Sequence, residues 1–224
     1  MSVDLLKVDN HPSASTERIR TLTSIEENCV TEIFEYFNET GFEYAVYLAS
    51  QDGPVVERVK GTAIGADPSP ESIERARKGE AFVVHHNHPS QGALSDTDWF
   101  GTATLGFKEI FAHSADGTIY WGKCLQPVQL LRLKTGPKDK NLAQQAYAVL
   151  SDVLFGASLF DETIYVDMLQ MHVLSLALKY KNIVDYQVQW GTRDIFGPTI
   201  EVNLVAKHLQ PYCLQAAEKM AKFF

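Results

Sequence analysis

Residues 84–99 read VHHNHPSQGALSDTDW, and this stretch decides how the rest of the chain is interpreted. A short apolar strand leads into His86 and His88, which are one residue apart and therefore point to the same face of a strand. Asp98 follows in a Ser-x-x-Asp sequence that is typical of the first turn of a helix. Two imidazoles and one carboxylate make three metal ligands and leave a fourth position open, as in catalytic zinc sites. The stretch therefore predicts a metal site where a strand meets a helix.

Each part of this motif also has a simpler explanation. A Ser-x-x-Asp sequence such as Ser95-x-x-Asp98, taken alone, is more often a helix capping box than part of a metal site. The pair His86 and His88 is a modest signal, and a lone acid such as Glu43 on an upstream strand is usually solvated. The joint occurrence of all of them favours a metal site, and Ser95 can cap the helix while Asp98 binds the metal.

The predicted elements put these residues into an α/β arrangement. Apolar spacing predicts a helix from Ser24 that ends before Gly41, and alternation predicts a strand over 42–49 that carries Glu43. The remaining predicted elements are a returning strand over 55–60, a helix after Ser69, a strand over 81–86, a helix after Ser95 and a hairpin over 109–123.

Composition restricts the function classes. The 224-residue chain carries a formal net charge of -8, which disfavours a nucleic-acid backbone as the main partner. We expect no membrane partner, because no apolar run reaches the about 20 residues that span a bilayer. The cysteines Cys29, Cys124 and Cys213 have no metal-knuckle or redox spacing, so we expect reduced thiols and a cytoplasmic protein.

The chain divides into three predicted parts. Residues 1–23 are expected to be irregular, and 135–140 form a polar breaker. Beyond it we expect a helical extension over 137–224, with an interruption at Pro211. Its helices are too apolar to stand alone, so they are expected to pack on the first domain or on a second copy of the chain. We therefore expect the extension to pack on the first domain, to form a homodimer or to recognise the substrate.

The motif resembles one family of metalloenzymes. His86-Asn87-His88-Pro89 followed by Ser95-Asp96-Thr97-Asp98, with an acid on an upstream strand, is similar to the JAMM (MPN+) metalloenzymes, and the His-Asn-His-Pro-Ser opening is most similar to their RadC-like bacterial branch. The resemblance covers about residues 24–126, and we assign residues 24–130 to such a domain. One departure is that the loop 89–94 is one residue shorter than the usual family spacing.

The resemblance implies a fold and a reaction. The fold would be the αβα MPN fold with a mixed central sheet. Zn²⁺ would be held by His86, His88 and Asp98, with Glu43 as the catalytic acid and base and Ser95 stabilising an oxyanion. Glu39 is the rival of Glu43. The family commonly cleaves peptide or isopeptide bonds, so the resemblance implies a zinc metallopeptidase whose substrates include ubiquitin-like protein conjugates.

Two other function classes compete with hydrolysis. A non-catalytic MPN scaffold would be a protein-interaction module, although such scaffolds usually lack the metal ligands. A RadC-like role with nucleic acid, or an HNH nuclease, conflicts with the net charge. Of the other histidines, His85 is expected to form hydrogen bonds, and His113, His172 and His208 are expected to be packed or exposed. Trp99 is expected to anchor its helix in the core.

Overall fold

The computed structural model describes residues 19–90, 92–134, 141–191 and 199–224. The polar breaker at 135–140 and most of the N-terminal segment predicted to be irregular lie outside these described residues. Seven α-helices and six strands are present in the described part. The strands are β1 (Tyr44–Leu48), β2 (Val55–Lys60), β3 (Val83–Asn87), β4 (Glu109–His113), β5 (Ile119–Cys124) and β6 (Val184–Gln189). The helices are α1 (Ser24–Thr40), α2 (Pro70–Arg77), α3 (Asp96–Leu105), α4 (Pro127–Lys134), α5 (Leu142–Gly156), α6 (Val166–Tyr180) and α7 (Thr199–Met220).

The strands form one mixed sheet in the order β2-β1-β3-β4-β5-β6. Only β3 and β4 pair in parallel, and the other four pairings are antiparallel. Because parallel neighbours need a crossover connection, the chain between β3 and β4 forms α3. The central strand β3 therefore delivers the chain directly from the sheet into the start of that helix.

Local sequence signals explain why α1 begins and ends where it does. The Thr23 hydroxyl accepts a hydrogen bond from the Glu26 amide, and the Glu26 carboxylate accepts one from the Thr23 amide, which completes a capping box. The helix is terminated by Gly41, whose φ of 72° is left-handed. Glycine adopts this conformation at little cost in free energy because it has no Cβ. The predicted helix from Ser24 to the residue before Gly41 is confirmed.

Helices cover both faces of the sheet. On one face, α1 packs against the sheet through a small apolar cluster that includes Cys29, Ile33, Val46 and Phe111. On the other face, α3, α5, α6 and α7 share one larger apolar core with residues of the sheet such as Tyr120. The predicted α/β class with a mixed central sheet is confirmed.

The C-terminal segment differs from the helices that we predicted for it. It also contributes β6, which pairs with β5 from Ile119↔Gln189 to Cys124↔Val184. The expectation of helices alone is corrected here, because six residues between two helices give too short a pattern to separate from its surroundings. The helices of this segment bury their apolar faces in the same core as the first part of the chain.

The predicted interruption at Pro211 is also wrong. The helix α7 continues through Pro211 from Thr199 to Met220. A proline inside a helix removes one backbone hydrogen bond and costs about 3 kcal/mol. Leu209 and Cys213 on either side of it are fully buried, and we attribute the continuity of the helix to this packing. No helix in the described ranges is both long and apolar enough to cross a membrane.

A buried histidine links α6, β6 and α7. His172 Nδ1 lies 2.8 Å from the Tyr186 hydroxyl oxygen, and His172 Nε2 lies 2.7 Å from Gln210 Oε1. Burial lowers the pKa of His172 to about 4, although the hydrogen bond with Gln210 works in the opposite direction. The imidazole is therefore neutral in the folded chain at neutral pH.

We expect this histidine to make the fold sensitive to acid. Because the unfolded chain takes up the proton near pH 6.5 and the folded chain only near pH 4, stability falls as the pH falls between these values. The loss attributable to His172 is about 3 kcal/mol at pH 4, from 1.36 kcal/mol per unit of pKa. Urea unfolding at pH 7 and pH 4 should show a smaller loss for His172→Gln than for the unsubstituted chain. Equal losses in the two proteins would contradict the assignment.

Candidate metal centre

The strand β3 places neighbouring histidines on opposite faces of the sheet. His86 lies on the face covered by α3, and His88 follows the last residue of the strand. His85 points the other way, where its Nε2 lies 3.1 Å from Glu26 Oε1 and its Nδ1 lies 3.0 Å from His113 Nε2. The predicted hydrogen-bonding role of His85 is confirmed, and His113 is packed against it.

The cap of α3 fixes the position of the third residue of the motif. The Ser95 amide donates to Asp98 Oδ2 at 2.7 Å, and the Asp98 amide donates to Ser95 Oγ at 3.1 Å. This is the capping box expected from Ser-x-x-Asp. Trp99, the next residue, is fully buried and donates from Nε1 to Ser175 Oγ on α6 at 2.9 Å. The predicted anchoring role of Trp99 is confirmed, and Asp98 is held at a fixed helix start.

The three predicted ligand residues converge. His86 Nε2 lies 2.8 Å from His88 Nε2, and Asp98 Oδ1 and Oδ2 lie 3.3 and 3.2 Å from His86 Nε2 and His88 Nε2 respectively. One ligand atom from each residue lies within 4.8 Å of the others. In a tetrahedral site with metal–nitrogen distances near 2.0–2.1 Å, neighbouring ligand atoms are about 3.3 Å apart. The group can therefore hold a metal ion with little movement of its side chains.

A neighbouring carbonyl orients one of the two imidazoles. His88 Nδ1 donates to the Gly92 carbonyl oxygen at 3.0 Å, so the neutral imidazole would carry on Nε2 the lone pair that a metal ion needs. Gly92 lies four residues after His88, within the stretch 89–94 that is shorter than the family spacing. The shortened loop thus still supplies an outer contact for a ligand. For His86 Nδ1, which is also buried, no hydrogen-bond partner is present in the described part of the chain.

The charges of the cluster suit a cation. Burial opposes ionisation of Asp98, but His86 and His88 beside it hold its pKa well below the usual range. Burial also disfavours a charged His88, but the nearby Asp98 carboxylate outweighs this and raises the pKa of His88 to about 9. Without a metal ion the cluster therefore holds a proton at His88 at neutral pH. A metal ion has to displace that proton, so its affinity should rise with pH up to about 9.

The strand predicted over 42–49 begins only at Tyr44, so Glu43 enters the same site from the position just before β1. Its backbone is held on one side by Gly61, whose amide donates to the Glu43 carbonyl oxygen at 2.9 Å, and by Thr62, whose carbonyl oxygen accepts from the Glu43 amide at 2.9 Å. Burial raises the pKa of the Glu43 carboxyl, while the charges of His86 and His88 work against that rise. The sequence rival Glu39 lies exposed in the last turn of α1.

The hydroxyl of Ser95 is already engaged. Ser95 Oγ donates to Asp98 Oδ2 at 2.7 Å. A hydroxyl has one hydrogen to donate, so Ser95 can donate to a substrate oxygen only when it is released from Asp98. The structure thus places the Ser95 hydroxyl against the Asp98 carboxylate, which it orients.

Sequence reasoning missed a polar residue between the two ligands. Asn87 is buried, its Oδ1 accepts from the Tyr44 amide at 2.9 Å, and its Nδ2 donates to the Phe42 carbonyl oxygen at 3.3 Å. These two backbone groups flank Glu43. Asn87 therefore clamps the segment that carries Glu43 to the strand that carries His86. The only signal that the sequence offered was an amide side chain between the two histidines.

We expect Asn87→Ala to weaken stability and any reaction in which Glu43 takes part. It leaves the buried Tyr44 amide without its partner, which should lower the free energy of unfolding by about 2 kcal/mol. Because the clamp acts on Glu43 and not on the ligands, metal content should stay near that of the unsubstituted protein while kcat falls more than KM changes. Asn38→Ala on the exposed face of α1 is the matched control. A fall in metal content with unchanged kcat of the loaded protein would contradict the clamp.

A cavity of about 710 Å³ opens onto the cluster. Glu43, His86, His88, Ser95 and Asp98 all line it, so the structure brings together every site residue predicted from the sequence. Its further walls come from the loop after β2 and from the start of α6. Comparison of the chain with protein-family models, with curated proteins and with solved structures found no match, so the site is interpreted from its own geometry.

Proposed function

We propose that the protein is a metal-dependent hydrolase of peptide or isopeptide bonds. The observation that carries this proposal is the convergence of His86, His88 and Asp98 within 4.8 Å, in a cavity that Glu43 also lines. Three ligands on one side and an acid that is not a ligand are the parts that metal-assisted hydrolysis needs. The motif's resemblance to the JAMM (MPN+) metalloenzymes supports the same reaction class.

Zinc is the metal that we propose for this centre. Two imidazoles and one carboxylate are ligands that zinc accepts in catalytic sites, with the fourth position left for water or substrate. Bound zinc would supply a Lewis acid that polarises a carbonyl group and makes water acidic enough to lose a proton near neutral pH. His86, His88 and Asp98 would hold it, and the Gly92 carbonyl would keep His88 in the ligating tautomer.

Glu43 is the proposed proton carrier. Its carboxylate would take the proton of the attacking water and return it to the departing amine, so that the two transfers restore the starting protonation state. Burial raises the pKa of this carboxyl, which brings it closer to the working pH and makes both transfers easier. Its backbone is held by Gly61 and Thr62 and by the Asn87 clamp, so the carboxylate stays in position between the two transfers.

Ser95 would have two successive roles in this proposal. Before a cation is bound it donates to Asp98 Oδ2 and keeps that carboxylate turned toward the histidines. With Asp98 engaged as a ligand, the Ser95 hydroxyl would be free to donate to the negative charge that develops on the substrate carbonyl oxygen as water attacks. A single donor of this kind typically contributes a factor of about 10²–10³ to kcat.

The proposed substrates are proteins. The resemblance favours the bond beside an extended tail, such as the C-terminal tail of a ubiquitin-like protein in a conjugate. None of the described residues lining the cavity is Lys or Arg, the side chains that usually bind a nucleic-acid backbone. The convergence of His86, His88 and Asp98 beside Glu43 also favours hydrolysis over a non-catalytic scaffold. Binding a partner protein does not require these four polar side chains to lie together.

Metal removal tests this proposal directly. We expect a chelator to abolish cleavage of a ubiquitin-like protein fused to a reporter at its C-terminus, and one equivalent of Zn²⁺ to restore it. The metal content of the purified protein, measured by mass spectrometry, should follow the activity. Cleavage that persists after the metal is gone would exclude the proposed reaction.

A further inference from the structure

The cavity beside the metal cluster continues inward over the sheet. Val84 on β3 lies two residues before His86, and therefore on the same face of the strand at a distance of about 7 Å. In the pairing of β3 with its two neighbours, Val84 lies opposite Tyr47 on β1 and Ile110 on β4. All three side chains line the cavity. The floor of the cavity therefore becomes apolar directly behind the ligand residue His86.

The helix α3 forms a wall beside this floor. Gly101 and Leu105 lie three and seven residues after Asp98, which places them on the same face of the helix but farther from the cluster. Both residues line the cavity. Apart from its own stretch of helix, no atom of the described chain lies within 4 Å of the point where a Cβ of Gly101 would stand. The wall is therefore open at Gly101, and a larger residue there would take up space in the cavity.

We call this part of the cavity the inner slot. It is lined by Tyr47, Val84, Gly101, Leu105, Phe107 and Ile110. Only the tyrosine among them has a polar side-chain group, and its hydroxyl donates to the Ala66 carbonyl oxygen at 3.4 Å. Small-molecule sites typically combine a mostly apolar lining with a few converging polar groups, in cavities of about 300–1,000 Å³. The inner slot and the metal cluster together have this composition, in a cavity of about 710 Å³.

The slot suits an apolar group that is not followed by a peptide unit. A peptide extended along the slot would bring a backbone N–H and C=O against Val84, Leu105 and Ile110, whose side chains cannot pair with them. A buried backbone group without a partner is unfavourable, whereas each buried methylene group is favourable. A hydrocarbon chain or a phenyl ring therefore fits the slot better than a second residue of a peptide does.

We propose that the protein also hydrolyses small amides whose acyl group is apolar and occupies the inner slot. The acyl group would be long enough to reach from the cluster to Val84, about 7 Å along β3. The oxygen of water bonds to the acyl carbon, the carbon–nitrogen bond breaks, and the nitrogen leaves as an amine with the proton that Glu43 carried. The products are a carboxylic acid and an amine. This inference rests on the proposed function, because it uses the same cluster and the same proton carrier.

Toluene tests the slot without a metal ion. Saturation-transfer NMR on the full, metal-free chain should show toluene binding with a Kd in the millimolar range, as expected for a small apolar molecule that loses most of its contact with water. Gly101→Leu should weaken this binding about fivefold or more, because the leucine side chain would occupy the slot. Thr104→Leu is the matched control, because Thr104 is exposed on the same helix and does not line the cavity. Equal toluene binding in both variants, or none in the unsubstituted chain, overturns the inference.

The variants at Gly101 should fold. Leucine and alanine both have a higher helix propensity than glycine, so the Tm of Gly101→Leu and Gly101→Ala should equal or exceed that of the unsubstituted protein. Gly101→Ala adds a single methyl group and should weaken toluene binding less than Gly101→Leu does. A graded loss of binding without a loss of Tm separates a filled slot from a damaged fold.

Hydroxamates test whether the slot and the cluster act on one ligand. Acetohydroxamate and hexanohydroxamate carry the same metal-binding head and differ only in the length of the apolar tail. Titration calorimetry on the zinc-loaded chain should give about 10- to 100-fold tighter binding of hexanohydroxamate. The ratio of the two affinities should fall to within about threefold in Gly101→Leu and should be kept in Thr104→Leu. A ratio near one in the unsubstituted protein would overturn the inference.

Hydrolysis distinguishes this inference from the proposed function. We expect the zinc-loaded protein to cleave N-hexanoyl-4-nitroaniline with a kcat/KM about tenfold or more above that for N-acetyl-4-nitroaniline, followed by the absorbance of released 4-nitroaniline. If the ubiquitin-like fusion is cleaved but the hexanoyl compound is cleaved no faster than the acetyl compound, the proposed function stands and this inference is wrong. If the hexanoyl compound is cleaved and the fusion is not, the inference stands and the protein substrate is wrong.

Discussion

Glu43→Gln should leave the protein folded and loaded with metal but should lower kcat by a factor of about 10²–10⁴, the usual contribution of a positioned acid and base. Glutamine keeps the shape of the side chain but cannot accept the proton of the attacking water. The carboxyl lines the cavity without belonging to the group of ligand atoms, so metal content should not change. The measurement is cleavage of a ubiquitin-like fusion, with zinc content determined on the same sample.

The matched control is Glu39→Gln. Glu39 was the rival of Glu43 in the sequence, and it lies exposed on α1. Its substitution should leave kcat, KM and metal content as they are. Full activity of Glu43→Gln, or a loss caused by Glu39→Gln alone, would show that the proton carrier has been assigned to the wrong carboxylate.

His88→Ala should abolish stoichiometric metal binding. If a zinc binding free energy of about 10–16 kcal/mol is shared among three or four ligands, the loss of one ligand weakens binding by a factor of about 10² to 10⁴. Titration calorimetry with Zn²⁺ should therefore show one tight site in the unsubstituted protein and only weak binding in His88→Ala. Because a ligand that binds only the folded state stabilises it, added zinc should raise the Tm of the unsubstituted protein and not that of the variant.

The control for this experiment is His208→Ala. His208 is an exposed imidazole on α7, so its substitution removes a surface histidine without touching the cluster. Zinc titration and the rise in Tm should be those of the unsubstituted protein. A tight site that survives in His88→Ala would mean that the cation is held elsewhere.

Much of the first part of the fold could be predicted because its boundaries are encoded locally. Ser69 and Ser95 each cap a helix through their own hydroxyl, and Gly41 ends α1 with a left-handed φ. The hairpin of β4 and β5 forms as the sequence predicts. Each of these signals acts over a few residues, so the sequence alone displays it.

The C-terminal segment could be predicted less well because its structure depends on distant partners. The strand β6 forms against β5 through residues about sixty to seventy positions away, and α7 passes through Pro211 between neighbours that are fully buried. Neither the sheet edge nor the core that decides these two outcomes is visible in the segment itself. Tertiary packing outweighs local preference in both cases.

The same distinction holds within the candidate site. His86, His88 and Asp98 could be found from the sequence because strand alternation and a helix cap bring them together over thirteen positions. Asn87 was missed because its role depends on backbone groups of Phe42 and Tyr44. The α6 wall was missed because it reaches the cavity only through the packing of α6 against the rest of the fold.

Asp98 both faces the two histidines and caps α3, and this combination restricts which substitutions the site can accept. The carboxylate that faces the two histidines is also the one that accepts from the Ser95 amide at the start of α3. A mutation to cysteine at this position, which would favour softer cations, would also fray the first turn of a helix. In the proposed metal site, a substitution at either histidine would therefore cost less helix stability than one at the aspartate, and Asp98 would keep its capping role without a metal ion.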